Sequence, residues 1–304
     1  MTANKMLLLY MFTVVLQVGV TAQQASAVAS QKKVPLQLLK GFSQQVFYST
    51  GHEKRATEIA TRSDKAVVYF NSLFGFKPST KLYILAQADW KDYASPIVYG
   101  MPHYPDSSRL VIAAEDNDLW RSFLPPVDKL PPPLAAKVKS AYGKADGTYS
   151  MMPFFDLLAL HELGHGFHNQ AKLKMHRKWM GELFVNIMLH TYIAENEPGL
   201  LPALETFPEM VVAAGTAEYK FNSLADFERL YDNLGMGPKN YGWYQSHLHS
   251  AAKNIYNAGG KEALQKLWTA LKTHKTIMSD EAFVNMLSTE VHSSVADVYL
   301  KWNQ

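Results

Sequence analysis

The chain has 304 residues, 47% hydrophobic and 19% charged, with a formal charge of +3 at neutral pH and no cysteine. That length and apolar content suffice for a sizeable core, and the small charge, with no Lys/Arg run beyond two residues, argues against nucleic acid or an anionic membrane surface as a partner. The lack of cysteine excludes disulfides, thiolate metal ligands, a cysteine nucleophile and a lipidated N-terminal Cys.

Residues 1–27 read as a secretory signal peptide. Lys5 supplies the positive start, Met6 to Val20 an almost unbroken apolar stretch, and Ala25 to Ala27 a small-x-small cleavage site, with Val20 to Ala22 as the alternative. The expectation is a secreted or periplasmic protein with no membrane span after signal removal, since no later apolar run reaches about 18 residues. What remains divides into an N-terminal α/β part, 28–150, and a helical part, 151–304.

In the first part, Leu36 to Phe47 and Glu53 to Phe74 carry helical spacing; in the second of these Ala56, Ile59, Ala60, Val67, Val68, Phe70 and Leu73 make a stripe expected to be buried. Gly75 and Pro78 end it. Lys81 to Ala86 reads as a strand, Trp90 to Tyr93 as a short turn or helix, Ser95 to Asp106 as a loop, and Arg109 to Ala114 as a second strand. Asp116 to Lys144, broken by prolines, is a connector or a cover over one side of a cleft, and Gly143 to Tyr149 is a loop leading into the next helix.

That helix begins at Pro153, a residue suited to a first helical turn, and carries His161, Glu162 and His165 as H-E-x-x-H. Residues four apart share a helix face, so both imidazoles can reach one metal ion, with Glu162 beside them to take a proton from an activated water. The spacing predicts a zinc site. Two histidines leave a catalytic zinc one protein ligand short. Glu182, on an amphipathic stretch from Trp179 to Leu189, would return against the two histidines after a turn through Lys172 to Lys178. Asn186, one turn beyond, could accept the other ring N–H of a ligating histidine. His176, His190, Glu195 and Glu197 are the rival third ligands. Beyond a turn at Glu197 to Gly199 and a weak strand candidate at Met210 to Ala214, segments 224–234, 244–258, 261–273, 280–288 and 291–302 read as helices, with Asp280 and Ser294 as caps.

His161, Glu162, His165 and the Glu182 stretch together resemble the gluzincins, the zinc metallopeptidases related to thermolysin and aminopeptidase N. The resemblance covers roughly residues 80–270. It implies Glu182 as the third ligand; the residue four beyond that Glu is commonly Asp in the family and is Asn186 here, and the connection is a few residues shorter. It also implies that the last strand before the H-E-x-x-H helix is a sheet edge onto which an extended peptide adds; the alternative for 109–114 is an ordinary core strand. In aminopeptidase N-like members a Tyr opens a helix ending at a Gly and donates to the developing oxyanion. Tyr244, with Gly259 or Gly260 as the helix end, stands at that place. His247, near His249, is the reserve, since a His plays the part in thermolysin-like enzymes. The G-x-M-E-N motif of the aminopeptidases is absent.

The expected fold class is α+β: a small mixed α/β part with a short sheet, then a mainly helical part, arranged as a gluzincin-like zincin. The expected function is that of a secreted zinc peptidase that holds one catalytic Zn2+ and cleaves an extended peptide or protein substrate with zinc-activated water, Glu162 serving as base. Alternatives are a secreted binding protein of the same fold without turnover, and an amidase or esterase acting on a non-peptide substrate.

Overall fold

The structure is a computed structural model and describes residues 35–94, 97–233 and 235–302. The expected signal peptide lies outside the described residues. Among those residues, no helix is long and apolar enough to cross a membrane.

A sheet of order β1-β2-β3-β4 is built from β1 (Gln37–Leu39), β2 (Gln45–Tyr48), β3 (Lys81–Leu85) and β4 (Arg109–Ala113). β1 runs antiparallel to β2, while β2, β3 and β4 are parallel. Parallel neighbours need a crossover, which α1 (Glu53–Phe74) supplies between β2 and β3. Of the stripe expected to be buried on α1, the structure leaves Val68, on the outer face of the helix, exposed. The register aligns Val46 with Leu82 and Leu82 with Leu110, so three fully buried side chains form one row across the sheet. The helix expected over Leu36 to Phe47 is instead the β1–β2 pair. Its apolar residues fit both periods, but Val46 and Tyr48 are buried alternately, and a bend at Gly41 (φ 95°) reverses the chain.

The outer edge of β4 is not free. Val111 exchanges two backbone hydrogen bonds with His103, at 3.3 and 3.0 Å. A peptide approaching from that side would meet the segment around His103, not β4 itself.

The remainder is helical: α2 (Gln87–Tyr93), α3 (Asp118–Ser122), α4 (Pro132–Tyr142), α5 (Met152–Gln170), α6 (Lys178–Asn196), α7 (Leu201–Ala213), α8 (Leu224–Leu230), α9 (Gly237–Thr273), α10 (Asp280–Met286) and α11 (Ser293–Leu300). The architecture is thus mainly helical with one small sheet. Met210 to Ala214 closes α7 and is not a strand; Leu204, Phe207, Met210 and Val211 are buried at helical steps. The caps fall at Ser279, which accepts from the Ala282 amide, and His292, which accepts from the Ser294 amide, instead of Asp280 and Ser294. α9 breaks at Gly260 (φ 54°, ψ −159°), at the expected helix end.

α6 is the centre of the molecule. Every residue from 182 to 193 is buried, and three of its polar members, Glu182, Asn186 and His190, fall at four-residue steps along one face. Where α1, α5, α6 and α9 meet, Phe74 stacks on Trp268 at 4.2 Å and Phe70 meets Phe167 edge-on at 5.6 Å. α5 and α6 lie close because Gly164 has no side chain: a Cβ there would sit 2.9 Å from Val185 Cγ1 and 3.0 Å from Val185 Cβ.

Two glycines separate close packing from mere tolerance. Gly164→Ala should destabilise by about 1–3 kcal/mol, because Val185 is stiff at χ1 and cannot swing aside. Gly181→Ala meets only Met175 Cγ at 3.9 Å and should gain about 0.5–1 kcal/mol of helix propensity. Thermal melts of the two variants against wild type check both signs.

Candidate metal centre

α5 delivers His161 and His165 from consecutive turns, and α6 brings Glu182 against them. The Nε2 atoms of the two imidazoles lie 3.3 Å apart. Glu182 Oε2 is 3.2 Å from His161 Nε2, and Glu182 Oε1 is 3.7 Å from His165 Nε2. All three ligand atoms fall within 4.8 Å of one another. An ion holding N and O donors at about 2.0–2.2 Å in a tetrahedral array would separate them by roughly 3.3–3.6 Å. The three spacings lie within about 0.1 Å of that range, the two to Glu182 being to its two different oxygens, so this group could hold a metal ion.

The remaining ring nitrogens are engaged. His161 Nδ1 is 2.8 Å from Asn186 Oδ1, and His165 Nδ1 is 2.9 Å from His168 Nε2. The expected role of Asn186 therefore has its geometry. His168, one turn past His165 on the same helix, was not anticipated from the sequence; its position at i+3 was the available signal. Burial, with His165 beside it, lowers the His168 pKa to about 3, so it is neutral and free to accept.

Glu182 is 1% exposed. Burial alone would raise its pKa, but His165 and His161 outweigh burial and hold it well below the usual carboxylate range. Its oxygens take two further donors: the Tyr231 hydroxyl at Oε1, and Gln245 Nε2 at Oε2, 2.7 Å away. Glu162, part-exposed beside this group, goes the other way. Burial, with the Glu182 charge adding and His161 opposing, pushes it up to about 7, the range in which a carboxylate can both take and return a proton near neutrality. Tyr104 approaches the same helix through Gly166, where a Cβ would lie 2.7 Å from the Tyr104 hydroxyl oxygen. The Glu162 charge, added to burial, raises the pKa of that phenol.

The rival ligands are elsewhere. His176 packs on Phe283 with ring centroids 5.0 Å apart, His190 pairs with Glu205 at 3.1 Å, Glu195 meets Lys261 at 3.3 Å, and Glu197 pairs with Arg62 at 3.1 Å.

Tyr244 and His247 do not reach the site. The Tyr244 side chain is fully buried against Phe227 and Trp302, and its hydroxyl donates to the Ser223 carbonyl at 2.7 Å. His247 lies against Trp243 at 4.2 Å, where burial lowers its pKa to about 4. The physical reason is helical rotation: each residue turns about 100° from the last, so Tyr244 and Gln245 face different directions. The face of α9 turned toward the metal group is Tyr241, Gln245 and His249, at four-residue steps. Gln245 Nε2 also donates to the Tyr241 hydroxyl at 2.8 Å, and the His249 ring lies 6.1 Å from that of His161. That stripe, running on to Lys253, was visible in the sequence as a polar run at helical spacing.

Glu182→Ala should strip most of the metal from purified protein, whereas His176→Ala and His190→Ala should leave metal content at the wild-type level. Elemental analysis after dialysis decides; retention by the Glu182 variant would overturn the ligand set. Comparison with protein-family models, curated proteins and solved structures finds no match to this chain, so what the site can do rests on its own residues.

Proposed function

We propose that the chain is a zinc-dependent metallohydrolase of the gluzincin type, most simply a peptidase, with His161, His165 and Glu182 as the zinc ligands. The observation that carries this reading is the three-donor array beside Glu162, a carboxylate whose raised pKa suits proton transfer. When bound, zinc would supply Lewis acidity toward a carbonyl and bring the pKa of water down to roughly 7. The chain's own residues do the rest. Glu162 removes the proton of the attacking water and returns it to the leaving nitrogen. Asn186 and His168 hold the two imidazoles in orientation.

A donor is also needed where negative charge grows on the carbonyl oxygen. Tyr231 and Tyr241 both lie close enough to Glu182 and Glu162 for those charges to raise their phenols, after burial, above the ordinary range. Tyr231 has committed its proton to Glu182. Tyr241 accepts from Gln245, so its own O–H is left to point at a substrate. We assign the oxyanion-donor role to Tyr241 in place of Tyr244.

Metal analysis of the purified protein together with a cleavage screen on a peptide library tests the reading directly. Glu162→Gln should keep fold and zinc and lose turnover by at least about a hundredfold, since the amide cannot take the proton. Undiminished cleavage by that variant would remove Glu162 from the mechanism.

Tyr241→Phe should lower kcat on the order of a hundredfold with zinc retained and KM little changed. Tyr244→Phe should instead cost about 1 kcal/mol of stability, through the lost bond to Ser223, with turnover intact. The reverse pattern in steady-state kinetics and melts would restore Tyr244 to the role.

A further inference from the structure

Asn186 stands at a position where a carboxylate would be the simpler partner for a ligating histidine, and the structure around it explains the amide. Four side chains form a closed circuit. His161 Nδ1 lies 2.8 Å from Asn186 Oδ1, and Asn186 Nδ2 lies 3.2 Å from Gln245 Oε1. Gln245 Nε2 lies 2.7 Å from Glu182 Oε2, which returns to within 3.2 Å of His161 Nε2. Asn186 is fully buried, and Glu182 very nearly so.

The direction of the three hydrogen bonds in this circuit follows from one charge; the fourth side, between Glu182 Oε2 and His161 Nε2, is where two ligand atoms face each other. An ionised carboxylate only accepts, so the Gln245 atom facing Glu182 is the NH2. Its carbonyl oxygen then faces Asn186, which must answer with its own NH2. That leaves Asn186 Oδ1 toward His161, whose Nδ1 must carry the proton. His161 Nε2 is thereby left with a lone pair aimed at the ligand group. The second hydrogen of Gln245 Nε2 goes to the Tyr241 hydroxyl, 2.8 Å away, in keeping with that orientation.

We propose that Gln245 is a positioning residue that sets the His161 tautomer through Asn186, making the two amides a matched, directional pair that neither side chain can replace alone. This rests on the metal reading of the site, though not on turnover. Asp at 186 would still accept from His161, but its second oxygen would face Gln245 Oε1. Turning the Gln245 amide over to relieve that contact would set its oxygen against the Glu182 carboxylate, which only accepts. No orientation satisfies all partners, so a change that should make His161 a stronger ligand makes it a weaker one.

The test is a double-mutant cycle read as Zn2+ affinity by chelator competition, with a melt of each metal-free protein alongside. Asn186→Asp and Gln245→Met should each weaken zinc binding on the order of tenfold. In the Gln245→Met background, which has no amide to oppose, Asn186→Asp should no longer weaken binding and should restore part of the loss. Equal effects of Asn186→Asp in both backgrounds, or unchanged affinity in Gln245→Met, would overturn the proposal. Should Gln245→Met fail to fold, Gln245→Asn, which withdraws the amide by one methylene, should likewise shrink the effect of Asn186→Asp, and equal effects in that pair also overturn it. A simple packing role would lower the melts without any such reversal. Zinc binding with the reversal but no peptide cleavage would sink the peptidase reading and leave Gln245 in place; cleavage with an additive cycle would do the opposite. A wild type that binds no zinc would sink both.

Discussion

A carboxylate charge buried at the centre of a helical core is the constraint from which the rest of this molecule follows. An unpaired ion there would cost several kcal/mol, so Glu182 must be surrounded by groups that favour its charged form. Two imidazoles from α5, a phenol from the residues after α8 and an amide from α9 do this. Each comes from a different place in the chain, and each constrains how its element packs on α6. Gly164, by admitting Val185, is the steric side of the same requirement: the charge can be satisfied only if α5 comes close.

The opposed behaviour of the two carboxylates comes from the same crowding. Glu182 has the imidazoles and loses its affinity for a proton; Glu162 has burial and a like charge nearby, and gains one. Two carboxylates close enough for one charge to act on the other therefore occupy different protonation regimes. That division is what a hydrolytic site needs from two acids: one stays a ligand while the other trades protons.

What could be read in the sequence was local. His161, Glu162 and His165 sit within one and a half turns, and Glu182 with Asn186 one turn apart, so helical periodicity alone put them on shared faces. The helical segments of the second half were legible for the same reason. The β1–β2 pair was not, because three or four residues with mixed spacing fit either period and only pairing with β3 decides. Tyr241 and Gln245 escaped notice because which face of α9 meets α6 depends on contacts with residues 59 and 63 positions distant. Tyr244 stands at a plausible place on the helix, but its ring belongs to the packing against Phe227 and Trp302.

The circuit that joins His161, Asn186, Gln245 and Glu182 spans three helices, of which α9 is far from the other two in the chain, and this has a thermodynamic consequence. An ion bound by His161, His165 and Glu182 would touch only α5 and α6, yet it would favour the state in which α9 is docked, because Gln245 holds the carboxylate in its liganding pose. Linkage is reciprocal: whatever docking adds to ion affinity, the ion adds to docking. Opening of α9 around Gly237 to Gln245 and release of the ion would then be two views of one equilibrium, and amide exchange in that stretch would count ions as faithfully as a chelator does.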